Sequence, residues 1–259
     1  LSLKKQSNKN FEWIIGNDGS TDNTDLLIKS FIREKEIKIK YLHSDIRIGK
    51  SKMDNQIFKK VSGEYQIYCG SDDYLKKDAI KNLMYLLKNI PRKYKKKIKG
   101  TFSQCVDQNN LSQSFYKDKM PDKEYIMKWE EIQEYIKGDC SILEKSKGYK
   151  NKKFKEVDFV ISESTLMNKV NKGKYFILSP IITTVMKRSK DSISFGKTMR
   201  YTRGWAYSVA INSDIKTFKN YNLKKKYFTI INYWRYAYHG DIDFFKAKKM
   251  WDVTKNNNF

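Results

Sequence analysis

Cysteine, histidine and proline are all scarce in this chain of 259 residues, and each shortage excludes a class of protein. The three cysteines, Cys69, Cys105 and Cys140, are widely spaced and odd in number, which excludes a disulfide framework and a CxxC metal site. Neither Ser20 nor Cys69 stands in a pattern with a histidine and an acid, so no nucleophilic triad is indicated. Three prolines and twelve glycines form no collagen-like tract and no low-complexity linker.

Long apolar runs are missing as well. No segment approaches the ~18 apolar residues of a membrane-spanning helix, and no basic-then-apolar signal segment opens the chain. We therefore expect a cytoplasmic protein, either soluble or peripheral at the inner face of the membrane. Hydrophobic residues make up 39% of the chain and aromatic residues 14%, which excludes a disordered chain and predicts one large domain or a domain with an appendage.

Acidic residues are the third shortage. Only 29 Asp and Glu stand against 53 Lys and Arg, which gives a formal net charge of +24. This excess favours polyanions, phosphate-bearing ligands or an anionic bilayer surface as partners. It does not choose among them, because the lysines run through every segment of the chain.

The first 75 residues alternate between strand-like and helix-like patterns. The order is β-α-β-α-β, which predicts an α/β fold with a mostly parallel open sheet flanked by helices. In the first helix, which starts at Ser20 or Asp22, we expect Leu26, Leu27, Phe31 and Ile32 on the inner face. The predicted segments are strand 11–15, helix 20–35, strand 37–42, helix 50–61 and strand 64–69.

Beyond residue 76 the pattern loosens, although several further segments are indicated. Past Phe195 the chain turns helical, aromatic and lysine-rich, so we interpret residues 196–259 as a basic helical appendage. The other predictions are helix 76–89, strand 101–106, helix 128–136, strand 141–144, helix 163–172 after the segment 157–161, and strand 175–186.

Acidic and turn-forming residues follow two of the predicted strands. One segment runs from Asn17 to Thr24 and contains Asp18, and the other contains Asp72 and Asp73. Strand ends of this kind form the ligand crevice of open α/β sheets. Two adjacent carboxylates supply the hard oxygen ligands that Mg²⁺ or Mn²⁺ prefers. The alternative is that the acidic pair caps the helix that follows it.

The ordered set of motifs resembles the nucleotide-sugar domain of family-2 glycosyltransferases of the GT-A fold, from Phe11 to Leu75. That family carries a DGS-x-D-x-T turn, a G-x-x-x-x-x-N helix start, and A-x-G-E-Y before a strand ending in an acidic pair. The resemblance implies that Asp18 recognises the base, that Lys50 lies near the base or phosphates, and that Asp72 and Asp73 share ribose and metal contacts. The matching segments here are Asp18-Gly19, Gly49 to Lys52, Asn55, Ser62 to Tyr65 and Ser71 to Leu75.

The chain departs from the family pattern at two places. Family members usually begin with a strand and a P-T-Y-N-like loop, and the resemblance starts after that point, so we expect the first strand to be absent. Many relatives also carry an acidic residue two positions before Asp72, where this chain has Gly70. Metal ligation would then use fewer protein oxygens and more water.

The resemblance also implies a catalytic base, which in this family often opens a helix after an irregular acceptor loop. Glu163 has that setting, and Asp158 and Glu156 are the alternatives. A glutamate in a first helical turn is also favoured by the helix dipole alone. Asp139 is the candidate for binding the acceptor sugar. His239 is the only late histidine, and its aromatic surroundings favour a packing or surface role over metal ligation.

Together these features predict a metal-dependent inverting glycosyltransferase with Mn²⁺ or Mg²⁺ as cofactor. It would move a sugar from a nucleotide-sugar donor, a UDP-sugar, to a glycan or lipid-linked acceptor in surface polysaccharide synthesis. The predicted domain is 1–195, in which residues 1–100 would bind the nucleotide sugar and residues 101–195 the acceptor. The alternatives are an inactive truncated transferase and a protein that binds acidic glycan or nucleic acid, although no nucleic-acid motif is present.

Overall fold

The computed structural model describes residues 1–115, 117–136, 138–157, 159–187, 199–213 and 218–255. Asp158, an alternative for the catalytic base, lies outside the described residues. The chain divides into two compact units. Unit 1 comprises Leu1–Asp45, Gln56–Lys152 and Val170–Ser189, and unit 2 comprises Ile46–Asn55, Lys153–Lys169 and Lys190–Phe259. The division of the chain at residues 195 and 196 stays a prediction of the sequence.

Unit 1 begins with a β-α-β arrangement, as predicted. Strand β1 (Glu12–Asp18) pairs in parallel with β2 (Lys38–Ser44), and helix α1 (Thr24–Glu34) connects them. The inner face of α1 differs from the prediction. Ile28 is its buried residue, whereas Leu26, Leu27 and Ile32 are exposed. A two-stranded sheet offers only a narrow surface, so few residues of α1 are buried against it. On this face the Phe31 ring contacts the Trp13 ring, with 6.0 Å between the ring centroids.

Most of the other predicted elements are present with similar bounds. The prediction of one helix over 128–136 is wrong, because this segment divides between the end of a strand and a single helical turn. The remaining elements are α2 (Lys50–Lys60), β3 (Tyr65–Ile67), β4 (Tyr74–Leu75), α3 (Ala79–Lys88), β5 (Ile98–Val106), β6 (Tyr125–Lys128), α4 (Trp129–Ile132), β7 (Cys140–Lys145), α5 (Ser164–Asn171), β8 (Tyr175–Val185), α6 (Met199–Asn212), α7 (Leu223–His239) and α8 (Phe244–Lys255).

Strands β3 to β8 form a six-stranded mixed sheet in unit 1. Its order is β3-β7-β5-β8-β4, and β6 also pairs with β8. The predicted α/β fold is confirmed, but parallel pairing is confined to β1 with β2 and β5 with β8 among the described strands. The other four pairings are antiparallel. Antiparallel pairing needs no helical crossover, which fits the loop-rich chain between β5 and β7.

Strand β5 lies at the centre of this sheet, and all nine of its residues are buried. On one face, Leu83 and Leu87 of α3 pack against Ile98, Leu143 and Ile177. The other face carries an aromatic cluster in which the rings of Phe102, Trp129 and Phe176 lie 5.2 to 5.5 Å apart. Helix α3 and the aromatic cluster thus pack against opposite faces of the sheet and stabilise the strands at whose ends Asp72, Asp73 and Asp139 lie.

Unit 2 contains the predicted C-terminal helices α6, α7 and α8. Small side chains let these helices approach closely, and the buried ring of Tyr233 fills the space between them. The Tyr233 hydroxyl donates a hydrogen bond of 2.6 Å to the Ala247 carbonyl. The alanines at these contacts are Ala206, Ala210, Ala237 and Ala247. Among the residues that the structure describes, no helix combines the length and the apolar character needed to cross a bilayer.

Candidate active site

Three of the predicted site residues lie at one edge of the six-stranded sheet. Strands β5 and β8 run parallel and both end at this edge, at the paired residues Val106 and Val185. Strand β7 is antiparallel to β5 and begins there, directly after Asp139. Strand β4 is antiparallel to β8 and also begins there, directly after Asp73. The register of the sheet therefore brings the acidic pair and Asp139 to the same edge.

Two cysteine thiols reflect the same convergence. Burial raises the pKa of Cys105, and the nearby groups Cys140, Asp139 and Asp73 raise it further. Both carboxylates therefore lie within electrostatic reach of one side chain. Burial, followed by the charges of Asp73 and Asp72, likewise raises the pKa of Cys69 to about 11. These thiols stay protonated at neutral pH, which agrees with the absence of a nucleophilic cysteine pattern in the sequence.

The acidic pair closes a tight turn onto Gly70. The Asp73 amide donates a hydrogen bond of 3.3 Å to the Gly70 carbonyl. A Cβ atom on Gly70 would lie 2.9 Å from Asp73 Oδ2 and 3.1 Å from Asp72 Oδ1. Both carboxylates thus converge on a position that has no side chain. A side chain at this position would meet the ends of both carboxylates, which belong to flexible side chains and could turn aside.

A backbone contact fixes one member of the pair. The Lys187 amide, two residues after the end of β8, donates a hydrogen bond of 3.3 Å to Asp73 Oδ1. Sequence reasoning did not identify Lys187, and no side-chain pattern could have done so, because its contribution is a main-chain group. Asp72 is exposed, so its carboxylate has access to ligands from solvent.

The geometry of the acidic pair fits a divalent cation. No group of three or more His, Cys, Asp or Glu side chains converges on one point among the described residues. Asp72 and Asp73, the ligands that the sequence predicts, thus supply hard carboxylate oxygens without a third side chain of these types. A cation such as Mg²⁺ is commonly held by one or two carboxylates and takes its remaining ligands from water and substrate phosphates. Two convergent carboxylates with an exposed side meet that requirement.

Asp18 stands at the last position of β1, where a side-chain network fixes the turn. Buried Asn17 donates from Nδ2 to the Tyr41 hydroxyl at 2.8 Å, and its Oδ1 accepts from the Ser20 amide at 3.0 Å. The Tyr41 hydroxyl in turn donates to Asp25 Oδ1 at 2.8 Å. Gly19 has a φ of +71°, a conformation that glycine adopts without strain. The half-buried Asp18 carboxylate therefore sits on a braced turn.

Lys50 and Glu163 meet within unit 2. Lys50 is the first residue of α2 and follows Gly49, which has a φ of +95°. Its Nζ lies 2.6 Å from Oδ2 of the buried Asp54 and 3.0 Å from Oε1 of Glu163. The Glu163 side chain, directly before α5, is 49% exposed and so accessible to solvent. The nucleotide contact assigned to Lys50 stays a prediction, and its observed carboxylate partners are Asp54 and Glu163.

Asn55, the last residue of the G-x-x-x-x-x-N motif, holds the segment that leads to Glu163. Its Nδ2 donates to the Phe154 carbonyl at 3.0 Å, and its Oδ1 accepts from the Phe154 amide at 2.8 Å. Nδ2 also contacts Glu156 Oε1 at 3.3 Å. Glu156, an alternative for the base, is thus engaged in bracing its own segment. His239 is exposed at the end of α7, where its ring contacts Tyr238.

The chain matches the protein-family model for glycosyl transferase family 2 over residues 1–147. This match covers more than half of the sequence, and the chain belongs to glycosyltransferase family 2. The family assignment agrees with the motif set between Phe11 and Leu75.

One curated relative is a GalNAc(5)-diNAcBac-PP-undecaprenol beta-1,3-glucosyltransferase of Campylobacter jejuni, which is 25% identical over 198 residues. This match covers 75% of the chain and 61% of the relative, so the chain spans less than two thirds of that protein. An uncharacterized glycosyltransferase of Haemophilus influenzae is 32% identical over 90 residues, which cover 34% of the chain and 36% of the relative.

Solved structures show the same fold. S. aureus TarS, residues 1–349, superposes with a TM-score of 0.60 and 13% identity over 92% of this chain and 66% of its own. The mannosyltransferase PcManGT from Pyrobaculum calidifontis, solved in complex with GDP-Man and Mn²⁺, gives a TM-score of 0.53 at 13% identity, over 98% of this chain and 67% of its own. The predicted GT-A fold class is therefore confirmed.

Proposed function

We propose that this chain is a metal-dependent, inverting glycosyltransferase that uses a nucleotide-sugar donor. The observation that carries the proposal is the convergence of the Asp72 and Asp73 carboxylates onto Gly70 at the edge of the sheet. Membership of glycosyltransferase family 2 supports it. So does the mannosyltransferase of the same fold, which was solved with a nucleotide sugar and Mn²⁺.

On the donor side, Asp72 and Asp73 would hold a divalent cation, Mn²⁺ or Mg²⁺, and Asp72 would also contact the ribose. A cation held there would offset the negative charge of the donor diphosphate and of the diphosphate that leaves. Asp18, on its braced turn, would accept hydrogen bonds from the base, and Lys50 supplies a positive charge for the donor. We propose a UDP-sugar as donor, because TarS, which has the same fold, was solved in complex with UDP.

On the acceptor side, Glu163 would take the proton of the attacking hydroxyl as the general base. Its contact with Lys50 holds the carboxylate in one position, and its exposure leaves it accessible to the acceptor. Asp139 would bind the acceptor sugar. A single displacement of this kind inverts the configuration at the anomeric carbon, because the hydroxyl attacks opposite to the leaving diphosphate.

We propose a glycan or a lipid-linked saccharide as acceptor, in surface polysaccharide synthesis. The support is the Campylobacter relative, whose name describes a glucosyltransferase acting on a saccharide linked to undecaprenol by a diphosphate. That match covers 75% of this chain, so it includes the segments that carry Asp139 and Glu163.

Calorimetric titration of UDP into the protein, with and without Mn²⁺, tests the donor side. We expect Mn²⁺ to strengthen UDP binding in the wild type, and Asp72→Asn and Asp73→Asn to remove that gain. Asp45→Asn is the matched control, because its carboxylate is 96% exposed and its change of charge is the same. UDP binding that is equally tight with and without Mn²⁺ in every variant would refute the metal assignment.

The base assignment is tested separately by comparing Glu163→Gln with Glu156→Gln. We expect Glu163→Gln to lower kcat for sugar transfer by about 10²-fold or more while UDP binding is unchanged. Glu156→Gln keeps its role in bracing Asn55 and should retain most of the turnover. The opposite ranking would make Glu156 the base. Proton NMR of the product's anomeric centre then reports inversion or retention.

A further inference from the structure

Helix α7 carries an apolar face on which five of six side chains are exposed. A helix of 3.6 residues per turn places positions i, i+4, i+7, i+8, i+11 and i+15 on one side. On α7 all six of these positions are apolar or aromatic. Leu223, Tyr227 and Tyr238 are 84%, 63% and 81% exposed, and Ile230 and Ile231 are also exposed. We call this set the apolar stripe, and its members are Leu223, Tyr227, Ile230, Ile231, Trp234 and Tyr238.

Apart from Trp234, which packs against the buried cluster, the apolar stripe lies outside the face that holds unit 2 together. Tyr233 and Ala237 make the contacts to α6 and α8, and both are fully or nearly fully buried. The stripe lies beside this buried face and extends onto α8, because the Trp234 ring stacks on Phe244 at 5.4 Å. Phe244 and its neighbour Phe245 are exposed as well. Exposed apolar side chains grouped on two neighbouring helices make this surface a candidate interaction site.

On α7 the side chains at the margins of the apolar stripe are basic, and this helix carries no negative charge. Lys224 and Arg235 lie along one margin of the stripe, and Lys226 lies along the other. Helix α7 contains no Asp or Glu. From α7 to the end of α8 the chain has eight lysines and arginines and three aspartates. The partner of this surface is therefore apolar at its centre and negatively charged around it.

We propose that the apolar stripe docks this chain on an anionic lipid bilayer, with α7 lying in the plane of the interface. A helix with apolar and aromatic residues on one face and lysines at the margins binds there by apolar burial and attraction to anionic headgroups. Tyrosine and tryptophan prefer this depth, because their rings are amphipathic. The proposal does not rest on sugar transfer or on the metal site.

A second copy of the chain is the other occupant to consider. Pairing of two α7 helices through the stripe would bring the lysines and the arginine at their margins together, and α7 offers no acidic residue to compensate them. Like charges at such a seam are destabilising. An anionic bilayer supplies the missing negative charge, and for this reason we favour it over self-association.

Vesicle co-sedimentation of the full chain tests the proposal. The probes are vesicles of phosphatidylcholine alone and of phosphatidylcholine with about a third phosphatidylglycerol. We expect binding to the anionic vesicles, and we expect Tyr227→Glu with Ile231→Glu to weaken it by about tenfold or more. Thr229→Glu with Asn232→Glu introduces the same number of charges on another side of α7 and is the matched control.

A charge variant and a size measurement complete the design. Lys224→Gln with Arg235→Gln should reduce binding to anionic vesicles and flatten its dependence on salt. Equal melting temperatures of the variants show that the fold is retained. Binding that is unchanged in the stripe variant, or equal to that of its control, overturns the proposal. Light scattering reports the oligomeric state. If the wild type is a dimer that does not bind vesicles, and the stripe variant is a monomer, the surface belongs to a second copy of the chain. That result would also overturn the proposal.

Discussion

Replacing Glu12 with glutamine tests how β1 is held in place. Glu12 Oε1 accepts hydrogen bonds from the amide and the hydroxyl of Ser62 at 2.8 and 2.7 Å. Its Oε2 lies 2.8 Å from Lys40 Nζ on the neighbouring strand. Burial acts to raise the pKa of Glu12, but the contacts with Lys40 and Ser62 outweigh it and lower the pKa to about 2. The ionised carboxylate is therefore more stable in the folded chain than in the unfolded one.

The magnitude follows from this pKa. One pKa unit corresponds to about 1.4 kcal/mol, so a fall from 4.5 to about 2 corresponds to about 3 kcal/mol as an upper bound. The contacts lie near the surface and solvent screens them, which reduces the expected contribution to about 1–2 kcal/mol. Because the pKa is lowered on folding, this stability is present above pH 4.5 and is lost as the pH falls toward 2.

Urea unfolding of the wild type and Glu12→Gln at a series of pH values measures this effect. We expect the variant to be less stable at neutral pH by about 1–2 kcal/mol, and the difference to shrink as the pH falls below 4.5. Glu134→Gln, at an exposed position on the same unit, is the control for the change of charge. The reasoning is refuted if Glu12→Gln matches the wild type at neutral pH, or if the difference is independent of pH.

Three further substitutions probe other contacts. The Glu144 carboxyl accepts hydrogen bonds from Tyr149 and Asn171, and burial raises its pKa. Because the pKa is raised on folding, the contribution of Glu144 to stability is greatest below pH 4.5. This contribution is lost as the pH rises through the raised pKa. In urea unfolding, the free energy of unfolding of the wild type should therefore rise relative to that of Glu144→Gln as the pH falls. The reverse trend would contradict this. Asn55→Asp loses the donor to the Phe154 carbonyl and should lower the free energy of unfolding by about 2–4 kcal/mol, whereas an unchanged value would show that the contact is dispensable. A Cβ on Gly204 would lie 1.5 Å from the Val160 carbonyl, so Gly204→Ala should destabilise the chain by about 1–3 kcal/mol, and a wild-type melting temperature would contradict the close approach.

Local sequence patterns were sufficient to predict the position of the acidic pair. Asp72 and Asp73 follow a strand and precede a helix, so their place at a strand end could be inferred from short-range pattern alone. The residues that meet there from far along the chain could not. Asp139 reaches the same edge only because β7 pairs antiparallel with β5, and strand pairing depends on packing across the whole sheet.

One wrong prediction and two features that the sequence did not predict have physical reasons of the same kind. Leu26 and Leu27 fit a helical periodicity, but periodicity does not tell how wide a surface the helix will cover. The contact between Lys50 and Glu163 joins two segments that are distant in sequence, and no local pattern encodes it. The apolar stripe of α7 was visible as aromatic content among lysines, but its exposure follows from which face Tyr233 and Ala237 bury.

The most direct measurement of the central claim is a crystal structure of the chain grown with UDP and Mn²⁺, using the anomalous scattering of manganese to locate the ion. Our account predicts one strong anomalous peak, which marks the ion, within bonding distance of carboxylate oxygens of Asp72 or Asp73 and of the diphosphate of UDP. UDP bound with no manganese at these carboxylates, or manganese bound at another site, would contradict it.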